Sequence, residues 1–316
     1  MADRSAIEWT DATWNPIVGC SVVSAGCTNC YAMKMGGRLQ SIAEAERAAN
    51  IIGITQYVGL TEKSKAGPVW TGKVTLAPEH IIAQPLRWRR PRRIFVNSMG
   101  DLFHESVPDE WIDRAFAVMA LTQQHTYQVL TKRSARMREY VGQWFERLAR
   151  YDVPVEHPTG RANFRDLVDW HVLPAVLPNV WLGVSTEDQR RADERVPDLL
   201  ATPAAIRFVS AEPLLGPIDF RRIRIASGWY DALASWRDVE EQFPGIDETL
   251  DLVIAGGESG IGARVWDGFY AAARSLRVQC KSAGTAFFMK QTQGALKSRM
   301  PAIPEDLMIR EMPHAR

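Results

Sequence analysis

The stretch Gly19-Cys20-Ser21-Val22-Val23-Ser24-Ala25-Gly26-Cys27-Thr28-Asn29-Cys30-Tyr31 follows an apolar run, Thr13 to Val18, and opens a helix-patterned segment from Tyr31 to about Ala49. Three of the chain's four cysteines lie in it, with six residues between the first two and two between the second and third. Thiolates are soft ligands that select zinc, copper(I) or an iron-sulfur cluster, and the two-residue spacing lets Cys27 and Cys30 face one metal centre from a single turn of backbone. Gly19 and Gly26 let that turn bend. The local ligand count is three, where a closed structural site takes four. Either a fourth ligand such as Cys280 or a histidine closes a zinc site, or a four-iron cluster leaves one iron open to a substrate.

Outward from this loop, short apolar runs alternate with longer amphipathic ones. Strands are predicted at Lys73 to Leu76, Arg93 to Asn97, Tyr127 to Leu130, Asn179 to Val184, Ile206 to Ser210, Leu252 to Ala255 and Ala286 to Lys290. Helices are predicted at Pro78 to Trp88, Pro108 to Gln123, Ser134 to Arg150, Glu187 to Ala201 and Asp267 to Ala283, and Gly36 and Gly37 read as a weak point in the helix after the cysteines. Strands separated by helices imply parallel βαβ units, and enough of them imply an α/β fold with a partial or complete parallel (β/α) barrel. With Lys73 to Leu76 set aside as an extra strand, six core strands precede the last. The whole chain, 1–316, then reads as one barrel domain with loop-like inserts near 50–71, 151–177 and 221–249. Trp229, Tyr230 and Trp236 in the last insert either pack locally or line a substrate mouth.

In such a barrel the chemistry sits at the C-terminal strand ends. The residues there are polar: Ser98-Met99-Gly100-Asp101, Thr131-Lys132-Arg133, Ser185-Thr186-Glu187-Asp188, Ala211-Glu212-Pro213, Gly256-Gly257-Glu258-Ser259-Gly260 and Lys290-Gln291. Each alone is as readily a helix cap as a ligand.

The cysteine trio, with Trp14-Asn15-Pro16-Ile17-Val18-Gly19 leading in and Cys30-Tyr31-Ala32 leading out, resembles the radical S-adenosylmethionine superfamily, and within it a phage- and prophage-encoded family of unknown function. The superfamily's usual motif has three residues between the first two cysteines and an aromatic before the third; here there are six, and Tyr31 follows the third. The resemblance implies a barrel of the radical SAM type, with Cys20, Cys27 and Cys30 holding a [4Fe-4S] cluster whose open iron chelates S-adenosylmethionine. Reductive cleavage then gives a 5′-deoxyadenosyl radical that takes hydrogen from a substrate, and the protein supplies orientation and a dry cavity. It further implies that Met99, Gly100 and Asp101 meet the methionyl amino group. Ser185 and Glu187 would meet ribose and carboxylate, and Lys132 or Arg133 would offer the carboxylate a cation. Glu212, Gly256, Gly257 and Glu258 would approach adenine and the methionyl backbone. An electron donor such as a flavodoxin or ferredoxin and a nucleoside or nucleic-acid-base substrate come with the same resemblance. The alternative is a non-catalytic, zinc-stabilised module that binds nucleic acid.

Composition bounds the rest. Hydrophobic residues at 46%, charged residues at 24% and a net charge of +1 fit a folded enzyme-like chain and exclude a histone-like or disordered one. The cysteine usage is no disulfide framework, and no basic region followed by an apolar run marks the N-terminus, so a reducing cytoplasm is expected. No run reaches the ~18 apolar residues of a membrane span. Arg87-Trp88-Arg89-Arg90-Pro91-Arg92-Arg93 invites a nucleic-acid reading but precedes a strand, which puts it at the face opposite the cysteine loop, where a solvated helix end is as good an account. Lys132, Arg133, Arg136 and Arg138 form a second basic cluster, nearer the expected mouth. His104 lies within reach of Asp101, in a capping, core or functional role. Tyr31 is expected to pack, and Cys280 to be a buried thiol.

Overall fold

Pro16 divides the opening apolar run. In the computed structural model, which describes residues 5–51, 53–226, 228–234, 248–296 and 299–313, that run becomes strands β1 (Ala12–Trp14) and β2 (Ile17–Val18), since proline has no N–H for a ladder. Helix α1 (Tyr31–Ala48) follows the cysteine loop. Then come hairpin strands β3 (Thr61–Ser64) and β4 (Gly67–Trp70), β5 (Thr75–Leu76), α2 (Glu79–Ile82), β6 (Arg93–Val96), α3 (Asp109–Leu121) and β7 (Thr126–Thr131). Next are α4 (Ser134–Val141), α5 (Trp144–Arg150), hairpin strands β8 (Pro154–His157) and β9 (Gly160–Asn163), β10 (Val180–Ser185), α6 (Gln189–Leu200) and β11 (Ile206–Ala211). The chain continues through ribbon strands β12 (Ile223–Ile225) and β13 (Gly228–Tyr230), then β14 (Leu252–Gly256), α7 (Phe269–Ala283) and β15 (Ala286–Gln291). The residues group into two compact units, Met1–Leu130 with Glu139–Val180, and Thr131–Arg138 with Trp181–Arg316.

In the first unit β1 runs parallel to β6, with Ala12 opposite Ile94 and Trp14 opposite Val96, and β6 runs parallel to β7. A parallel pair needs a crossover, and α3 supplies the one from β6 to β7. Its buried residues include Ile112, Phe116 and Met119. The Trp14 and Tyr127 rings meet in the core at 5.7 Å, tilted by 59°, and the Trp14 indole N–H is satisfied by the Ile81 carbonyl at 2.9 Å. In the second unit β10, β11, β14 and β15 are successive parallel neighbours, with a register shift at Ala255/Gly256. Gly183 has to lack a side chain there, because a Cβ would stand 2.5 Å from the Phe208 ring.

The α/β class and the parallel strands are therefore as expected, and each predicted strand overlaps an observed one. Lys73 to Leu76 stands apart as anticipated: β5 pairs antiparallel with β2. Three local expectations are corrected. The helix predicted over Pro78 to Trp88 stops at Ile82 and passes into a 3-10 turn over Gln84–Arg87, which contains Pro85. The helix predicted over Ser134 to Arg150 breaks into α4 and α5 at Gly142-Gln143. The inserts are ribbons as well as loops. In the third, Tyr230 is buried and donates to the Glu248 carbonyl at 2.8 Å, while Trp229 is exposed beneath the Arg222 guanidinium. Trp236 lies outside the described residues.

The first insert also reverses the reading of Gly36 and Gly37. The β3–β4 hairpin packs on α1 so closely that a Cβ on Gly36 would lie 2.5 Å from the Trp70 ring, and one on Gly37 would lie 2.6 Å from Pro68. These glycines admit the hairpin. Gly36→Ala gains about 1 kcal/mol of helix propensity but overpacks a buried indole at a cost of ~1–3 kcal/mol. Trp70, 6% exposed, has little room to retreat, so a net loss of stability is expected in urea denaturation; a rise would show that the hairpin is loosely held.

His125 gives a pH dependence. It is buried, with Nε2 3.3 Å from the Pro85 carbonyl and its ring edge-on to Trp88. Burial pushes its pKa below 6.5, and the nearby Arg92 charge acts the same way. The unfolded chain therefore takes up this proton first, so the stability is present above the unfolded value and is lost as pH falls through 6.5 toward the lower folded value. Denaturation between about pH 7.5 and about pH 5.5 should show the decline, and His125→Gln should flatten it.

Among the described residues, no helix is long and apolar enough to cross a membrane.

Candidate metal centre

The cysteine loop begins with a constraint that only glycine meets. Gly19 has φ +98°, and a Cβ there would stand 2.2 Å from the Lys73 carbonyl oxygen. Its N–H donates to the Met99 carbonyl at 3.0 Å, and Gly19 bridges Gly100 in parallel. A Cβ on Gly100 would in turn stand 3.0 Å from the carbonyl oxygens of Gly19 and Ile17. Two backbones thus meet at van der Waals distance, and the loop entry is stapled to the end of β6. Asn15 completes the staple: its Oδ1 accepts from the Met99 N–H at 2.8 Å and from the Ser98 hydroxyl at 3.2 Å.

Cys27 ends a 3-10 turn, Ala25–Cys27, with its N–H on the Ser24 carbonyl; the Cys30 N–H bonds to the Cys27 carbonyl at 3.2 Å. Cys30 is the N-cap of α1, the helix end that favours negative charge. Cys20 and Cys30 both pack, part-buried, on one apolar cluster that includes Val18, Met33, Trp70 and Met99. None of the cysteines is in a disulfide. The donor set fits a soft metal or cluster: three thiols on one loop, two of them partly open to solvent. Among the described residues, no group of three or more His, Cys, Asp or Glu side chains is arranged to hold a metal ion.

Tyr31, expected to pack, is 53% exposed, and its hydroxyl donates to the Ser98 carbonyl at 2.9 Å. It ties the start of α1 to the end of β6. Asp101 is buried and its Oδ1 accepts from the Phe103 N–H at 3.1 Å, the capping role that a strand-end aspartate often takes. His104 is 1% exposed and faces Ser21 of the loop. Asn15 and Ser21 were not singled out by sequence; both flank motif residues, and that adjacency was the available signal.

The second unit gathers its own predicted residues. Glu187 is fully buried and paired with Arg195 at 3.0 Å, while Arg195 also donates to the Ser185 carbonyl at 2.7 Å. Asp188 caps α6 by accepting the Arg191 N–H. Glu258 is buried and takes the Arg264 backbone N–H at 2.7 Å together with two guanidinium contacts. Those hydrogen bonds, then the Glu258 and Glu187 charges, raise the Arg264 pKa above its ordinary value. Glu212 accepts from Lys290 Nζ at 2.5 Å and from Gln291 Nε2 at 3.3 Å. Gln291 also donates to the Gly257 carbonyl and the Ser259 hydroxyl. A Cβ on Gly257 would stand 2.6 Å from the Gln293 nitrogen. Lys290, which sequence placed only at a strand end, is therefore part of a hydrogen-bonded group with Glu212. Thr131 Oγ1 accepts from the Arg133 N–H at 2.9 Å, in the turn that also carries Lys132, and Arg138 pairs with Asp198.

A family model described as Protein of unknown function (DUF5131) matches residues 4–311. The chain belongs to the DUF5131 family. No curated protein and no solved structure matches it. The arginine-rich run of this DUF5131 chain is tied into the fold. Trp88 is buried, with the Arg92 guanidinium 4.7 Å above its ring; Arg93 pairs with Asp11, and Arg87 donates to the His80 carbonyl. Burial pushes the Asp11 carboxyl upward, but the hydrogen bonds and charge of Arg93 outweigh it and hold the pKa below its ordinary value. Trp88 is thus covered rather than open to a stacking base.

Proposed function

We propose that this DUF5131 protein is a radical S-adenosylmethionine enzyme in which Cys20, Cys27 and Cys30 hold a [4Fe-4S] cluster. The observation that carries the proposal is the stapled loop: three thiols lie between a glycine locked onto the β6 end and the first turn of α1. Cys20, Cys27 and Cys30 would hold such a cluster, which, with an electron carrier such as a flavodoxin or ferredoxin, would supply one-electron reductive cleavage of S-adenosylmethionine.

The chain's own residues hold the loop and offer polar groups. Gly19 and Gly100 let the backbones meet, Asn15 and Tyr31 fix Ser98 and Met99, and Cys30 stands at the N-terminal cap of α1. The Met99-Gly100-Asp101 segment is the candidate contact for the methionyl group. Lys132, Arg133, Ser185, Glu187, Glu212, Gly256, Gly257 and Glu258 are the candidate contacts for the remainder of the nucleotide. Glu187 and Glu258, already ion-paired, would act there by fixing backbone and arginines rather than as open ligands. A nucleoside or nucleic-acid base is the substrate class, a barrel of the radical SAM type is the closure of the parallel strands, and the cytoplasm is the compartment that such a cluster needs.

The test is turnover after anaerobic reconstitution with iron and sulfide. With dithionite and S-adenosylmethionine, 5′-deoxyadenosine and methionine should form. Absence of both in a protein that retains its cluster would overturn the proposal.

A further inference from the structure

Ser21 follows the first cysteine, and its side chain is engaged from the far side by a histidine that none of the assignments above uses. His104 lies three residues beyond Asp101, on the segment leaving β6, and is 1% exposed. Its Nδ1 accepts from the Ser106 N–H at 3.1 Å, which leaves the ring proton on Nε2. Nε2 lies 2.9 Å from Ser21 Oγ, so His104 donates to Ser21. The Ser21 hydroxyl then donates to Glu105 Oε1 at 3.0 Å, and that carboxylate is also 3.4 Å from His104 Nε2. This is not a nucleophile triad: the carboxylate and the hydroxyl share one ring nitrogen, and the other is used by backbone.

The arrangement bears on Cys20. The Cys20 carbonyl accepts from the Gly72 N–H at 3.2 Å, and its thiol lies 3.5 Å from the Ser21 carbonyl. Cys27 and Cys30 are set by the 3-10 turn and by α1, whereas the intervening Val22 and Val23 are exposed. Besides the apolar cluster on which it packs, the first thiol is thus set by the backbone on either side of it, Ser21 included. His104 is itself anchored by its N–H on the Asp101 carbonyl at 3.2 Å, which connects Cys20 to the Met99-Gly100-Asp101 segment.

We propose that His104 is a positioning residue for Cys20, latching the first thiol of the trio through the Ser21 hydroxyl, with Glu105 completing the latch. The proposal rests on the assignment of Cys20 as a thiolate ligand. Its test has a readout independent of the metal: the iodoacetamide alkylation rate of Cys20 in the metal-free full-length protein, measured by peptide mass spectrometry against Cys27 as internal reference. Loss of one hydrogen bond of about 1 kcal/mol corresponds to a change of about fivefold in an opening equilibrium. His104→Ala and Ser21→Ala should therefore raise the Cys20-to-Cys27 rate ratio about fivefold, and His104→Gln, which can still donate to Ser21, should restore it toward wild type. Should His104→Ala fail to fold, Ser21→Ala reads the same latch from its surface side. An unchanged ratio in Ser21→Ala, or His104→Gln behaving like His104→Ala, would overturn the latch. Iron and sulfide retention after reconstitution is read in parallel. A wild-type protein that binds neither defeats the cluster assignment, while the alkylation ratio still decides whether the latch exists.

Discussion

Cys27→Ala should abolish iron and sulfide retention on anaerobic reconstitution, while Cys280→Ala should leave both unchanged. Cys27 is the middle thiol of the trio, held by a 3-10 turn, and the loop offers no further cysteine to take its place. Cys280 is fully buried near the end of α7, and burial pushes its thiol up to about 12. It stays protonated at neutral pH and is a poor thiolate donor. Metal and acid-labile sulfide analysis of the two variants beside the wild type checks both. Retained iron in Cys27→Ala, or iron lost in Cys280→Ala, would reassign the ligands.

The largest stability effect is expected at Arg195. Its guanidinium is 5% exposed and holds a Glu187 side chain that is 0% exposed, while also satisfying the Ser185 carbonyl. Truncation to alanine leaves a carboxylate with its principal partner gone in a dry environment, and breaking such a pair costs about 3–5 kcal/mol. Arg191, 4.0 Å away and itself bonded to Glu194, compensates little. Removing both charges together, as in Glu187→Gln with Arg195→Met, should recover much of that loss, because no buried charge remains. Urea denaturation of the single and double variants separates the cases. A double variant as unstable as Arg195→Ala would mean that the damage is to packing and not to charge.

Much of the fold was legible because it is written in short-range pattern. Apolar runs such as Asn179 to Val184 and Ile206 to Ser210 mark buried strands, and the helix between them, α6, is the crossover that a parallel pair requires. Boundaries failed where one residue outweighed the pattern, as at Gly142 and Pro85. Long-range packing was not legible: nothing local to Gly36 announces that Trp70 will lie on it. In the candidate site the cysteines were visible by spacing, since chemistry that needs several ligands concentrates them. The bonds that support them were not, because Asn15, Tyr31 and His104 act through Met99, Ser98 and Ser21, and one of these bonds joins segments more than sixty residues apart in sequence and the other two more than eighty. Glu187 and Glu258 were visible as strand-end acids, but only the structure shows that Arg195 and Arg264 occupy them.

One determination bears most directly on the identity of the centre: iron, acid-labile sulfide and zinc per chain in protein purified and reconstituted without oxygen. A cluster held by the three loop thiols predicts about four irons and about four sulfides per chain, with little zinc. About one zinc per chain and no sulfide would contradict it, and would make the loop a structural thiolate site instead.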